Sequence, residues 1–109
     1  MTEAPKHLND AGRELWTRVQ AEFAITDGAG LALLCAACEA LDRMRDAQAQ
    51  IEADGLTVVD RYGTKKSHPC VAIERDSRNG MLAALRQLNL DIAPTAVPGR
   101  PANLYGVKR

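Results

Sequence analysis

Residues 28–55, GAGLALLCAACEALDRMRDAQAQIEADG, decide the fold. Leu33, Ala37, Ala40, Met44, Ala47 and Ile51 recur in alternating steps of four and three, the spacing that lines one stripe of an α-helix. Leu34, Cys38 and Leu41 widen the stripe in its first half. The far half, with Arg45, Asp46, Gln48, Gln50, Glu52 and Asp54, keeps only the narrow seam. Thr26 and Asp27 offer an N-cap, and Gly28 and Gly30 loosen the first turn. Gly55 is suited to a left-handed C-terminal cap, after which Leu56 can fold back onto Ile51. A helix over 28–54 is about 40 Å long. In a chain of 109 residues it either projects from its own core or packs along another copy. The seam Leu33, Ala37, Ala40, Met44 and Ile51 is therefore the candidate oligomer interface.

Working outward, Asn9 can cap a preceding helix over about 10–24, where Leu15, Val19 and Phe23 keep helical spacing beside Trp16. Residues 1–8 read as a flexible arm. Beyond Gly55, the β-branched run Thr57-Val58-Val59, the turn Arg61-Tyr62-Gly63-Thr64 and the return Lys65-Lys66-Ser67 predict a small β-hairpin. Pro69 suits the first turn of a third helix over about 69–88, which Asn89 can close. Pro94, Pro98, Gly99 and Pro101 make 91–109 an irregular tail. The expected fold is mainly α. The long helix and the one before it form a helical hairpin, and the third helix packs back. One domain spans 9–90.

Composition agrees with that class. Aromatic residues are only 4% of a chain that is 46% hydrophobic, so its core rests on aliphatic side chains that suit helices. The net charge of zero hides an asymmetry. Residues 1–54 sum to −5 and residues 55–109 to +5. The basic half can meet nucleic acid or the acidic half of another copy, and charge alone does not choose. No apolar run is long enough to span a membrane and no signal-peptide pattern opens the chain, so the cytoplasm is the expected compartment. An odd count of three cysteines fits reduced thiols.

Few constellations carry chemistry. Arg61, Lys65 and Lys66 surround the hairpin turn, with Arg75 and Arg78 sharing a face of the third helix. These five are the candidate DNA contacts; the competing reading is a solvated surface neutralised by Glu74 and Asp76, or a contact between subunits. Cys35, Cys38, His68 and Cys70 make a ligand set for zinc by residue type alone. Cys35-Ala36-Ala37-Cys38 nevertheless lies in an uninterrupted helical pattern, so buried thiols and no metal or other cofactor are expected. His68 before Pro69 suits a helix cap or an interface, and His7 carries no argument. Trp16 reads as core and the pair Asp42 and Asp46 as a solvated face. No nucleotide-binding or hydrolase motif appears, so no catalytic residue is assigned.

The order of these features resembles the small terminase subunits of tailed phages, specifically the family typical of phages with cohesive genome ends. The residues that carry the resemblance are Pro5-Lys6-His7-Leu8, Trp16, Leu33-Leu34-Cys35, Asp54-Gly55, Tyr62-Gly63, Lys66-Ser67-His68-Pro69, Ile73-Glu74-Arg75-Asp76 and Leu85-Arg86-Gln87-Leu88-Asn89-Leu90. It covers about residues 5–92. It implies a helical subunit of a ring-like homo-oligomer, without enzymatic activity, that recognises double-stranded viral DNA and works with the large, ATP-hydrolysing subunit in the cytoplasm of the bacterial host. The alternative is an oligomeric protein–protein interaction module with little direct affinity for DNA. Many members carry a Pro-, Lys- and Arg-rich segment ahead of the equivalent of Pro5, and this chain departs from them by opening almost directly at Pro5, which leaves a shortened or prophage-derived form open.

Overall fold

The computed structural model describes residues 2–90. Helix α1 spans Asp10–Phe23, α2 Gly28–Asp54 and α3 Pro69–Leu88. Strands β1 (Thr57–Val59) and β2 (Lys65–Ser67) form an antiparallel hairpin between α2 and α3. The tail expected over 91–109 lies outside the described residues.

The start and stop signals act much as their chemistry requires. Asp27 caps α2 by accepting from the Gly30 amide at 2.8 Å. Gly30 has no room for a side chain, since a Cβ would sit 2.7 Å from Ile25 and 2.8 Å from the Asp27 carboxylate. Gly55 ends α2 with φ of +89° and ψ of 166°, a conformation open to glycine but outside the left-handed helical region expected from sequence. The chain therefore leaves in an extended direction. Leu56 is 67% exposed instead of folding back on Ile51. Asn89 closes α3 in the left-handed region, and Leu90 packs against the core.

Helix α2 is the spine. Asp54 meets His68 at one end and Gln48 meets Glu74 further in, so α3 runs back antiparallel along it. This pairing is the most extensive in the fold, ahead of α1 on α2. The expected hairpin of α1 and α2 is present but secondary. The seam explains why. Ala37, Ala40, Met44 and Ala47 are buried on α2, and Ser77 and Ala84 are the buried residues of α3. Small side chains on both helices let the backbones approach closely. The far half of α2 thus does not project alone: α3 lies along it, with Ala47 buried and Ile51 half-buried.

The broad first half of α2 serves α1. Leu34 and Cys38 join Leu8, Trp16, Val19 and Ile25 in the main apolar cluster. Three polar contacts fix this end. Gln20, 1% exposed, accepts from the Ile25 amide and donates to its carbonyl, closing the α1–α2 connection around Ala24. Trp16 Nε1 donates to the carbonyl of Thr2. Asp42 accepts from the amides of Asn9 and Gly12 at 2.8 and 2.7 Å.

Two expectations are corrected here. Residues 2–8 are not a loose arm, because Leu8 is buried in the core and Trp16 holds Thr2. Asp42 is not part of a solvated face. It is 8% exposed and satisfies the free amides at the start of α1, a role expected of Asn9, whose side chain makes no cap bond. Gly12 makes room for it, since a Cβ there would lie 2.5 Å from the Asp42 carboxylate and 2.7 Å from the Cys38 carbonyl.

Asp42→Ala leaves two amides without acceptors and is expected to cost about 1–3 kcal/mol. Gly12→Ala, which forces α1 off α2, should cost a similar amount, about 1–3 kcal/mol. The midpoint of urea unfolding checks both; an unchanged midpoint for Asp42→Ala would show that the carboxylate is not a cap.

Candidate nucleic-acid interface

The hairpin sits at the end of the spine furthest from the α1 core. Thr57 pairs with Ser67, Val58 with Lys66 and Val59 with Lys65. Paired residues share a face. Val58, Asp60 and Lys66 therefore occupy one side, and Thr57, Val59, Lys65 and Ser67 the other. Val58 is half-buried, and the residues of the second face are all exposed.

Asp60 builds the turn. Its Oδ1 accepts from the amides of Tyr62 and Thr64 at 2.8 and 2.9 Å, while its own amide donates to the Thr64 carbonyl. Gly63 supplies the positive φ of +80° that the turn needs. The Thr64 amide and then that of Tyr62 hold the Asp60 carboxyl below its ordinary range, with Lys66 adding to the effect. Lys66 Nζ lies 3.4 Å from Asp60 Oδ2. At the tip, Tyr62 is 76% exposed and the Arg61 guanidinium stacks 5.0 Å from its ring centre.

The base of the hairpin is clamped by His68. Its amide donates to the Leu56 carbonyl at 2.8 Å. Its Nδ1 accepts from the Cys70 amide and caps α3. With Nδ1 accepting, the ring proton lies on Nε2 and is donated to Asp54 at 2.9 Å. One buried side chain thus ties the end of α2, the hairpin and the start of α3 together. Of the two uses read from His68-Pro69, the cap is the one built.

The five candidate DNA contacts are all exposed but not equivalent. Arg75 pairs with Asp76, and Arg78 with Glu74, which also accepts from Gln48. Lys66 pairs with Asp60. Among the described residues, Arg61 and Lys65 form no ion pair. The hairpin side therefore offers free positive charge, whereas α3 largely neutralises its own. Tyr62 was legible only as a turn residue; its exposed position beside Arg61 is what makes it a candidate contact. Of the candidate oligomer residues, Ala37, Ala40 and Met44 are buried within the chain, while Leu33 and Ile51 are half-buried. The first three are unavailable to a second copy in this fold.

The four-residue zinc set is not assembled. His68 contacts Asp54, nineteen residues along α2 from Cys35, a separation of about 28 Å. Cys38 is fully buried, and burial first, with Cys35, Asp42 and Glu39 adding, pushes its thiol up to about 12. It is an inert core residue, as is Trp16. No helix among the described residues is long and apolar enough to cross a membrane.

Helical spine, small basic hairpin and returning helix are the order of elements on which the resemblance rests, and a model of the family described as phage terminase, small subunit, matches residues 12–98. The chain belongs to this family. Searches of curated proteins and of solved structures found no match. Membership gives this terminase small subunit a role in phage DNA packaging.

Two predictions concern the clamp. His68→Ala removes the α3 cap and is expected to cost about 0.5–2 kcal/mol, with His68→Asn recovering part of it through a shorter acceptor. Thermal unfolding, with hydrogen exchange at the Cys70 amide, checks this. The second is a dependence on pH. Asp54, Asp60 and Glu74 all have lowered carboxyl pKa values, chiefly through hydrogen bonds from His68, the Thr64 amide and Gln48 respectively. Depressed folded values mean that the unfolded chain takes up protons first as pH falls. Their stabilisation is complete above the ordinary carboxyl value of about 4 and is lost as pH drops through the lower folded values. Unfolding midpoints measured from pH 6 to 2.5 should therefore decline below about pH 4; Asp60→Asn should flatten part of that decline.

Proposed function

We propose that this subunit is a non-catalytic DNA-packaging adaptor, acting as a homo-oligomeric ring in the cytoplasm of the bacterial host. In this reading it recognises double-stranded viral DNA and delivers it to the large terminase subunit. The observation that carries the DNA contact is the exposed hairpin, with Arg61 and Lys65 in no ion pair among the described residues and Tyr62 at its tip. Arginine and lysine on a projecting loop gain affinity by releasing counterions from phosphates. Lys66, Arg75 and Arg78 offer less net positive charge, since each is paired with a carboxylate, Asp60, Asp76 and Glu74 respectively.

Leu56 and Val59 on the hairpin and Ile73 near the start of α3 are large, exposed apolar residues, and they favour a second reading of the same region. In it the hairpin serves contacts between subunits, and its basic residues face the acidic half of a neighbour. In this second reading, assembly uses these side chains with Leu33 and Ile51, rather than the buried Ala37, Ala40 and Met44.

The double variant Arg61→Glu, Lys65→Glu separates the two, because it leaves the Asp60–Lys66 pair that shapes the turn intact. Light scattering gives the oligomer, and DNA binding is titrated at several salt concentrations. The adaptor reading expects an intact oligomer and at least tenfold weaker DNA binding. It also expects the salt slope to fall by about 0.9 for each phosphate that the variant no longer neutralises. Dissociation of the oligomer would favour the assembly reading. Unchanged DNA binding would remove the hairpin from the DNA interface.

A further inference from the structure

We propose that His7, Cys35 and Glu39 form a binding site for a zinc-class divalent cation that clips the segment preceding α1 onto α2. This replaces the expectation of no metal and stands independently of the DNA-packaging reading. His7 Nε2, Cys35 Sγ and Glu39 Oε2 lie within 4.8 Å of one another. Cys35 and Glu39 are one turn apart on α2 and so face the same way. Glu39 Oε2 is 2.7 Å from His7 Nε2 and 3.6 Å from Cys35 Sγ. A tetrahedral ion with bonds of about 2.0–2.3 Å holds its ligand atoms roughly 3.3–3.7 Å apart. The sulfur–oxygen separation already matches. The nitrogen–oxygen pair needs to open by about half an ångström to admit an ion.

The histidine is positioned for this purpose by backbone contacts. Arg13 Nη2 donates to the carbonyls of Lys6 and Leu8, the residues on either side of His7. Leu8 is anchored in the core. His7 is therefore delivered to α2 on a fixed turn, while its ring stays accessible enough to exchange a proton for a metal. The hydrogen bonds from His7 and Cys35 to Glu39 gather the ligands beforehand.

The donor set selects the ion. One sulfur, one imidazole nitrogen and one carboxylate oxygen favour zinc or cobalt over magnesium or calcium, which prefer all-oxygen shells. Three protein ligands leave a fourth position for water. It has space on the cavity beside His7 and Glu39, where Asp42 and Asp46 add negative charge and Arg43 opposes it. On binding, the Cys35 thiol releases its proton to solvent, and the thiolate and carboxylate charges balance the dication. Burial, followed by the charge of Glu39, raises the thiol's pKa in the metal-free chain. The bound cation reverses that influence.

The test uses the full chain, freed of metal by chelation and titrated with cobalt(II) and then zinc(II). The expected result is a thiolate-to-cobalt charge-transfer band saturating at one equivalent and displaced by zinc, with zinc raising the melting temperature. Cys35→Ser should abolish the band, and His7→Gln and Glu39→Gln should each weaken zinc binding by at least about tenfold. His7 and Glu39 are both substantially exposed, so these variants keep the proposal testable even if Cys35→Ser were to disturb the core. No band and no melting shift would overturn the proposal. So would a band that survives Cys35→Ser and disappears in Cys70→Ser.

Discussion

The close antiparallel packing of α3 along α2 is the constraint on which the rest of the structure depends. Ala37, Ala40 and Ala47 on one helix and Ser77 and Ala84 on the other remove the bulk that would hold the backbones apart. Small side chains each add few contacts, so the pairing gains through the length over which the helices touch. Length in turn has a geometric consequence. The connection between the helices falls at the tip of the spine, at Asp54 and His68, and the hairpin is held there away from the main apolar cluster. Two three-residue strands are marginal in water. Polar devices at both ends compensate: Asp60 organises the turn and His68 clamps the base.

At the opposite end the logic is different. Helix α1 offers a broader apolar face, but the connections around it are held by buried polar atoms. Gln20 replaces a missing turn around Ala24 and Ile25, and Asp42 substitutes for a local cap at Asn9. Each places a side chain's hydrogen-bonding groups where the backbone would otherwise be buried unsatisfied. Nearer the surface, Arg13 ties down the carbonyls on either side of His7. The segment before α1 consequently belongs to the folded body, and a histidine without meaning in the sequence becomes neighbour to a cysteine and a glutamate.

The basic surface follows from this division of labour. Positive charge on α3 is largely met by Glu74 and Asp76 on the same helix. On the hairpin, Asp60 engages Lys66 while shaping the turn, and Arg61 and Lys65 remain free of ion pairs among the described residues. Unneutralised positive charge among the described residues is thus concentrated on the hairpin more than on the first turns of α3.

The sequence by itself determined the local elements. The four-and-three spacing of α2, Asp27, Pro69, Gly63 and Asn89 mark elements and ends through short-range hydrogen bonds and backbone preferences, which act between neighbours and are therefore legible in order. The five basic candidates were legible as a group because charge is a property of composition. Tertiary structure alone decided who partners whom. The seam Leu33, Ala37, Ala40, Met44 and Ile51 has the same periodicity whether it faces another copy or its own α3, because a stripe records that it is buried and not by what. Asp42 looked solvated because its amide partners lie some thirty residues away. Gly55 signalled the end of α2, but not its ψ or the outward course of Leu56, whose carbonyl accepts from the distant His68 amide. His7, Cys35 and Glu39 became a cluster for the same physical reason: contacts between residues distant in sequence arise only once packing has brought their elements together.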